Sequence, residues 1–236
     1  MRILVVAATK EEIKPLISEL RITNYDLENE DELLPGSQIV NRKSDIVNLG
    51  LNTSILITGV GMVATAFALG RHLATHAYDL VVNLGVAGSF DRDIAIGDVL
   101  EISSDILAEL GAEDGDEFLS IEQLSFGEGT YYPTTKLTDL YNLFNTFNLK
   151  TAGAITVNTV HGNEKSIKKV MERLNPQLES MEGAAFFYVC KEMNVPGLQI
   201  RAVSNYVEKR DRSNWNIGLA IKNLNTFAIE FLKLYA

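Results

Sequence analysis

The residues best suited to chemistry in this 236-residue chain are carboxylates at the edges of apolar runs. Glu11 and Glu12 follow the run "ILVVAA" and open a helix, where acids are common because they suit the helix dipole. Glu182, in "LESMEGAAF", separates a short apolar segment from an Ala-rich, aromatic helix. A carboxylate there is partly buried and needs a partner; with its pKa moved by burial it can act as acid or base. A third group closes the stretch "RAVSNYVEKRDRSNW", which begins as a buried strand and then places Arg210, Asp211 and Arg212 before the lone Trp215.

Other motifs read as structural. "GVGMVA" matches the G-x-G-x-x-G/A dinucleotide pattern, but Asp79 stands before the next strand instead of closing it, so the glycines serve a tight turn and close helix packing. "AEDGDEF" lacks calcium-loop spacing and reads as a solvated loop. His72 and His76 have helical spacing without the Glu of H-E-x-x-H, and His161 stands apart in a loop, so no metal is expected and no cofactor is implied. "GVAGSF" is no nucleophile elbow, which leaves Ser89 structural, and Cys190 reads as a buried helix thiol.

The elements that must position these residues alternate. Residues 2 to 8 form a strand buried on both faces, and "KEEIKPLISEL" puts Ile13, Leu16, Ile17 and Leu20 on one helical face around Pro15. Weaker strand signals lie in "QIVNRKSDIVNLG". There follow a strand "SILITGV", a helix "GMVATAFALGRHLATH", a strand "YDLVVNLGVAG" and a strand or strand pair "GDVLEISSDILAEL". After them come a helix "LTDLYNLFNTF", a strand "AGAITV", helices at "EKSIKKVMERL" and "EGAAFFYVCKEM", the strand "GLQIRAVS" and a C-terminal helix from about Ser213. The alternation predicts an α/β fold, a central parallel or mixed sheet flanked by helices on both faces, in a single domain spanning 1–236. In such folds the ligand sits beyond the carboxyl ends of the strands, here "AATKEE", "GVGM", "GVAGSF", "TVNTV", "ESMEG" and "SNYVEKRDR".

Composition narrows the partners. With 46% hydrophobic and 22% charged residues and no low-complexity tract, the chain reads as globular. A net charge of −10 argues against a nucleic-acid surface and for small ligands. One cysteine fits a reducing cytoplasm, and no segment is long and apolar enough for a membrane span or forms a convincing signal peptide.

"MRILVVAATKEE", "TGVGMVATAFAL", "NLGVAGSF", "ESMEGAA" and "RAVSN" occur in an order and spacing that resemble the purine nucleoside phosphorylase and methylthioadenosine/S-adenosylhomocysteine nucleosidase superfamily, over nearly the whole chain. Within it, "GVAGSF", "LGAEDGDEFLS" and "SNYVEKRDRSNW" resemble the futalosine hydrolases, nucleosidases of menaquinone biosynthesis that release hypoxanthine from futalosine. The resemblance implies a nucleoside phosphorylase/hydrolase-like fold and a homo-oligomer, a dimer or a tetramer. It also implies roles. Glu12 would activate water, Glu182 would bind the ribose hydroxyls with Met181 beside the sugar, Asn205 would face the base, and Thr159 and Val160 would pack on the purine. Val86 stands where adenine-specific nucleosidases have a serine. Ala7, Ala8, Val86 and Phe90 occupy the places where a phosphorylase carries its glycine and arginine phosphate cradle, which favours water as nucleophile.

Asn205 replaces the aspartate of adenine-specific relatives. An amide offers donor hydrogens to the N7 and 6-oxo acceptors of hypoxanthine, whereas a protonated Asp suits N7 and a 6-amino group. Since an amide is a poor acid, departure of the base would rest on hydrogen bonding or on a proton from solvent or Asp211. Arg210 or Arg212 would take the benzoate of futalosine, with Trp215 nearby; a surface ion pair within "EKRDR" is the competing reading. Another purine nucleosidase, a phosphorylase, a non-catalytic nucleoside-binding protein and, more distantly, a Rossmann oxidoreductase remain the alternatives.

Overall fold

Five apolar residues, Ile3–Ala7, form β1, and every one is buried, which only a strand covered on both faces permits. The computed structural model describes residues 1–21, 46–48, 53–134 and 149–234. In chain order the elements are β1, α1 (Lys10–Arg21), β2 (Ile46–Asn48), β3 (Thr53–Ile57), α2 (Met62–Leu73), β4 (Leu80–Ser89) and β5 (Val99–Leu107). Then come β6 (Gly111–Asp114), β7 (Glu117–Ser120), β8 (Thr130–Tyr131), β9 (Lys150–Thr156), α3 (Glu164–Leu174), β10 (Leu178–Ser180), α4 (Gly183–Glu192), β11 (Gly197–Tyr206) and α5 (Ile217–Lys233).

The sheet is mixed, in the order β10-β9-β5-β11-β4-β1-β3-β2, with β8 on β5. Strand β10 also pairs with the end of β4, so β4, β11, β5, β9 and β10 close into a ring. Side chains alternate across the strands into two cores. Ile3, Val5 and Ala7 face α1 and α5, where Ile13, Leu16, Leu224 and Phe231 are buried. Leu4 and Val6 face α2 and α4, with Leu69, Phe186 and Phe187.

Two sequence expectations change, and one strand had no sequence signal. The acidic "solvated loop" is a hairpin, β6 and β7, turned at Gly115 with φ of 65°, a conformation glycine adopts without strain. The C-terminal helix starts at Ile217, because a 3-10 turn, Arg212–Asn214, intervenes and Asn216 caps the helix by accepting from Leu219 N at 3.1 Å. The three-residue β10 lacks the length that signals a strand, and forms because the curled sheet offers it partners on both sides. The expected helix at "LTDLYNLFNTF" and most of "QIVNRKSDIVNLG" lie outside the described residues.

Helix α1 carries Pro15, which has no N–H to give to the preceding turn. Asn225 of α5, 2% exposed, clamps the same turn: its Oδ1 accepts from Leu16 N at 2.8 Å and its Nδ2 donates to the carbonyl of Glu12 at 2.7 Å. The clamp ties the backbone of Glu12 to the C-terminal helix. Asn225→Leu strips both bonds from a buried site and should cost about 1–3 kcal/mol in urea unfolding; an unchanged midpoint would deny the clamp any role.

Candidate active site

The site begins where β1 meets α1. Thr9 and Glu12 form a capping box: Glu12 N donates to Thr9 Oγ1 at 3.4 Å, and Glu12 Oε2 accepts from Thr9 N at 3.0 Å and Thr9 Oγ1 at 3.1 Å. The other oxygen, Oε1, accepts from the backbone N–H of Val86 in β4 at 3.2 Å. Both oxygens are thus fixed, one by the helix start and one by the sheet. Burial holds the Glu12 carboxyl above its usual pKa, Arg201 opposes that rise, and the nearby Glu182 adds to it.

Glu182 sits at the N-cap of α4 without capping it. The helix's first amides go elsewhere, Gly183 N to Ser180 Oγ at 3.3 Å and Ala184 N to Thr156 Oγ1 at 2.7 Å. That frees the carboxylate. Its Oε1 accepts from Gly61 N at 3.0 Å, at the head of α2, and its Oε2 stands 3.8 Å from Arg201 Nη1. The glycines of "GVGMVA" make this turn possible, with φ of 89° at Gly59 and 96° at Gly61.

Arg201 joins the two carboxylates. It is 1% exposed, and it runs beside Gly85, its register partner on β4. A Cβ at Gly85 would lie 2.0 Å from Arg201 Nη1 and 3.2 Å from Glu12 Oε1, so only glycine lets these groups approach. Arg201 Nε donates to Gln199 Oε1 at 2.8 Å, Gln199 Nε2 to Asp105 Oδ2 at 3.1 Å, and Thr156 Oγ1 to Asp105 Oδ1 at 2.8 Å. Among the described residues Arg201 Nη2 is buried with no partner. Burial pushes Asp105 up to about 6, against the opposing bonds from Thr156 and Gln199.

Further along β4 lies Gly88, two residues from Val86 and so roughly 7 Å away. Gly88 is paired with Asn205 of β11 on one side and Glu179 of β10 on the other. A register shift between Val203 and Asn205 marks a bulge, the device by which a strand re-aims a side chain. Ser204 Oγ donates to Asn205 Oδ1 at 2.8 Å, and Asn205 Nδ2 donates to the carbonyl of Tyr206 at 2.9 Å, which fixes the amide.

Of the residues expected from sequence, Glu12, Val86 and Glu182 come together, Met181 precedes Glu182 partly buried, and Asn205 borders the same strand of glycines. Thr159 and Val160 are exposed, in the loop that leads into His161. Arg210 and Arg212 are exposed and stack on Trp215, their guanidinium carbons 4.9 and 5.7 Å from the ring centre. The ion pair within "EKRDR" is not what forms: Glu208 turns to Arg92, and Asp211 accepts from Ser213 N and Oγ. Those Ser213 bonds hold the Asp211 carboxyl below its usual range, which makes it a poor proton source. Sequence reading passed over Arg201, Gln199 and Asp105. Their signal was polarity inside apolar strands, "LQIRAV" and "ISSDIL", where a charge must find partners.

His72 is buried, bonded to Tyr78 Oη at 2.8 Å and pushed down to about 4, chiefly by burial, as befits a neutral core histidine. Burial pushes the Cys190 thiol up, so it is no nucleophile. Ser89 Oγ donates to the Asp91 carbonyl at 2.8 Å, a loop bond.

The sequence profile described as the phosphorylase superfamily matches residues 2–234. A futalosine hydrolase of Streptomyces coelicolor is 31% identical over 80% of this chain and 83% of its own. A 5'-methylthioadenosine/S-adenosylhomocysteine nucleosidase of Buchnera aphidicola is 25% identical over 98% of this chain and 90% of its own. Among solved structures, the futalosine hydrolase of Helicobacter pylori superposes with a TM-score of 0.74, at 18% identity, over 99% of this chain and 96% of its own, which is a likeness of fold.

An Asp that holds its proton more tightly folded than unfolded loses that advantage as pH climbs from about 4 through about 6. Asp105 should therefore make unfolding easier across that window. Asp105→Asn should flatten this part of the profile of melting temperature against pH; an unaltered slope would show that Asp105 titrates as an ordinary carboxylate.

Proposed function

Because the chain belongs to the phosphorylase superfamily, we propose that it is an N-glycosyl hydrolase acting on a purine nucleoside, with futalosine as substrate and hypoxanthine and dehypoxanthine futalosine as products. The observation that carries this reading is the convergence of Glu12, just past the carboxyl end of β1, and Glu182, at the head of α4, on one buried arginine of β11 beside Gly85 of β4. It supports a water-activating carboxylate and a sugar-binding carboxylate working side by side. The side chains of Ala7, Ala8, Val86 and Phe90 offer a phosphate ion no cationic cradle, which favours water over phosphate.

Glu12 acts as general base. A carboxylate raised by burial is a better base than a solvated one, and its two fixed oxygens present one lone pair towards the incoming water. Glu182, with one oxygen on Gly61 N, accepts from the ribose hydroxyls and opposes the charge of an oxocarbenium-like sugar. The unpartnered Nη2 of Arg201 is a donor ready for water or a sugar hydroxyl. Asn205 donates its remaining amide hydrogen to the 6-oxo purine, the other going to the Tyr206 carbonyl and its own carbonyl oxygen being taken by Ser204. Arg210 or Arg212 holds the carboxylate of the aliphatic arm, and the loop bond from Arg210 N to the Gly162 carbonyl at 3.3 Å brings that segment to the His161 loop.

A methylthioadenosine-type nucleosidase is the second reading, favoured by the long match to the Buchnera relative; Asn205 speaks against it. A cytoplasmic homo-oligomer in menaquinone biosynthesis is the setting that goes with the first. Among the described residues no helix is long and apolar enough to cross a membrane.

Purine release from futalosine, inosine and methylthioadenosine, each with and without phosphate, tests the whole reading: hypoxanthine should leave futalosine without phosphate, and a phosphate requirement would sink it. Glu12→Gln should keep substrate binding and lose turnover about a hundredfold or more; near-normal turnover removes Glu12 as base. Asn205→Asp should move preference from 6-oxo towards 6-amino nucleosides, and an unmoved preference contradicts the donor pattern. Alanine at Arg210 or Arg212 should raise KM for futalosine and spare inosine, whereas equal effects on both would put these residues outside the carboxylate site.

A further inference from the structure

We infer that His161, held by Glu179, is the acid that protonates the departing purine, an assignment that rests on the nucleosidase reading above. Hydrolysis at Glu12 leaves the base with an extra electron pair, and Asn205, an amide, has no proton to give it. Asp211 is engaged by Ser213 and is poorly disposed to donate. The glycine strip of β4 brings a different group to the same place.

Glu179 is 4% exposed and grips the histidine twice, accepting from His161 N at 3.0 Å with Oε1 and meeting His161 Nδ1 at 2.7 Å with Oε2. The ring is further set edge-on to Phe90, with centroids 6.1 Å apart. Glu179 and Asn205 are the two register partners of Gly88. A Cβ at Gly88 would stand 2.9 Å from Val207 Cγ2, 3.3 Å from Asn205 Nδ2 and 3.6 Å from Glu179 Cγ, so the base-reading amide and the carboxylate that holds the imidazole pack around the same glycine. Glu179 from β10 is the charged group on the histidine, while Arg210, whose backbone N–H donates to the Gly162 carbonyl, turns its guanidinium over Trp215, and Phe90, next to the end of β4, is neutral. Glu109, after β5, is occupied by Asn158 N and Nδ2.

With the Nδ1 proton directed at Glu179, the proton that imidazolium can release is on Nε2, and among the described residues Nε2 has no partner. As the bond from the sugar C1′ to the purine nitrogen breaks, its electron pair moves into the ring and the Nε2 proton goes to a ring nitrogen, releasing neutral base. Water adds to C1′ and gives its proton to Glu12. Solvent then carries one proton from Glu12 and returns one to His161, so the step balances with no other reactant. Glu179 is a positioning residue, since it acts through the ring.

The test compares two leaving groups. Wild type, His161→Gln and Glu179→Gln are assayed on futalosine or inosine and on 4-nitrophenyl riboside, whose nitrophenolate leaves unprotonated, with folding checked by circular dichroism. His161→Gln should lose about a hundredfold or more on the purine nucleoside and only a few-fold on the nitrophenyl riboside, with Glu179→Gln between. The alkaline fall in kcat for the purine nucleoside should vanish in His161→Gln, a second readout that does not depend on the artificial substrate. Persistence of that fall, equal losses on both substrates, or no loss overturns the acid while leaving the nucleosidase reading intact. Wild-type protein that frees no purine from any nucleoside overturns both.

Discussion

A guanidinium with 1% exposure in the middle of the sheet is the constraint around which the rest is arranged. Taken from water alone, Arg201 would cost several kcal/mol, and its neighbours offset that by charge and hydrogen bonding. Glu182 lies at ion-pair distance, Gln199 takes Nε and hands the interaction on to Asp105, and Gly85 withdraws its side chain to admit Nη1. Even Gly183 is dictated by this chain: a Cβ there would be 2.0 Å from Asp105 Oδ2 and 2.2 Å from Gln199 Oε1. Apolar packing would be the cheaper way to fill such a volume, so the cluster makes sense as chemistry.

One cation serves several acids. Asp105 and Glu12 both hold protons more tightly than ordinary carboxylates, with burial as the first cause in each. For Asp105 that is a cost to stability above its pKa; for Glu12 it makes the carboxylate the stronger base that the proposed reaction would use. The curled sheet supplies the spacing. Strand β4 runs through the ring with glycines at 85 and 88, the first beside Arg201 and Glu12, the second beside Asn205 and Glu179, so the proposed sugar and base sites would lie along one strand.

Much of the fold was legible because burial leaves a mark on sequence. The run at β1 is apolar without alternation and that at β4 nearly so, and the amphipathic pattern of α1 names Ile13, Leu16 and Ile17, all of them buried. Glu12 and Glu182 were visible as carboxylates at the ends of apolar segments. What escaped depends on contacts between distant elements. The strand identity of β10 is set by partners in β4 and β9, and the hairpin of β6 and β7 by a single positive φ. His161 read as an isolated loop residue because its partner is 18 residues away in sequence on another strand. Arg201 was quoted within its strand and passed over, although a charge in a two-sided strand already announces that something buried must answer it.

The most direct measurement is purine release by an Arg201→Met enzyme whose fold is verified by circular dichroism. If the buried cation holds Glu12 and Glu182 in working order, turnover falls about a hundredfold or more. Turnover within a few-fold of wild type would show that the two carboxylates do their work without it.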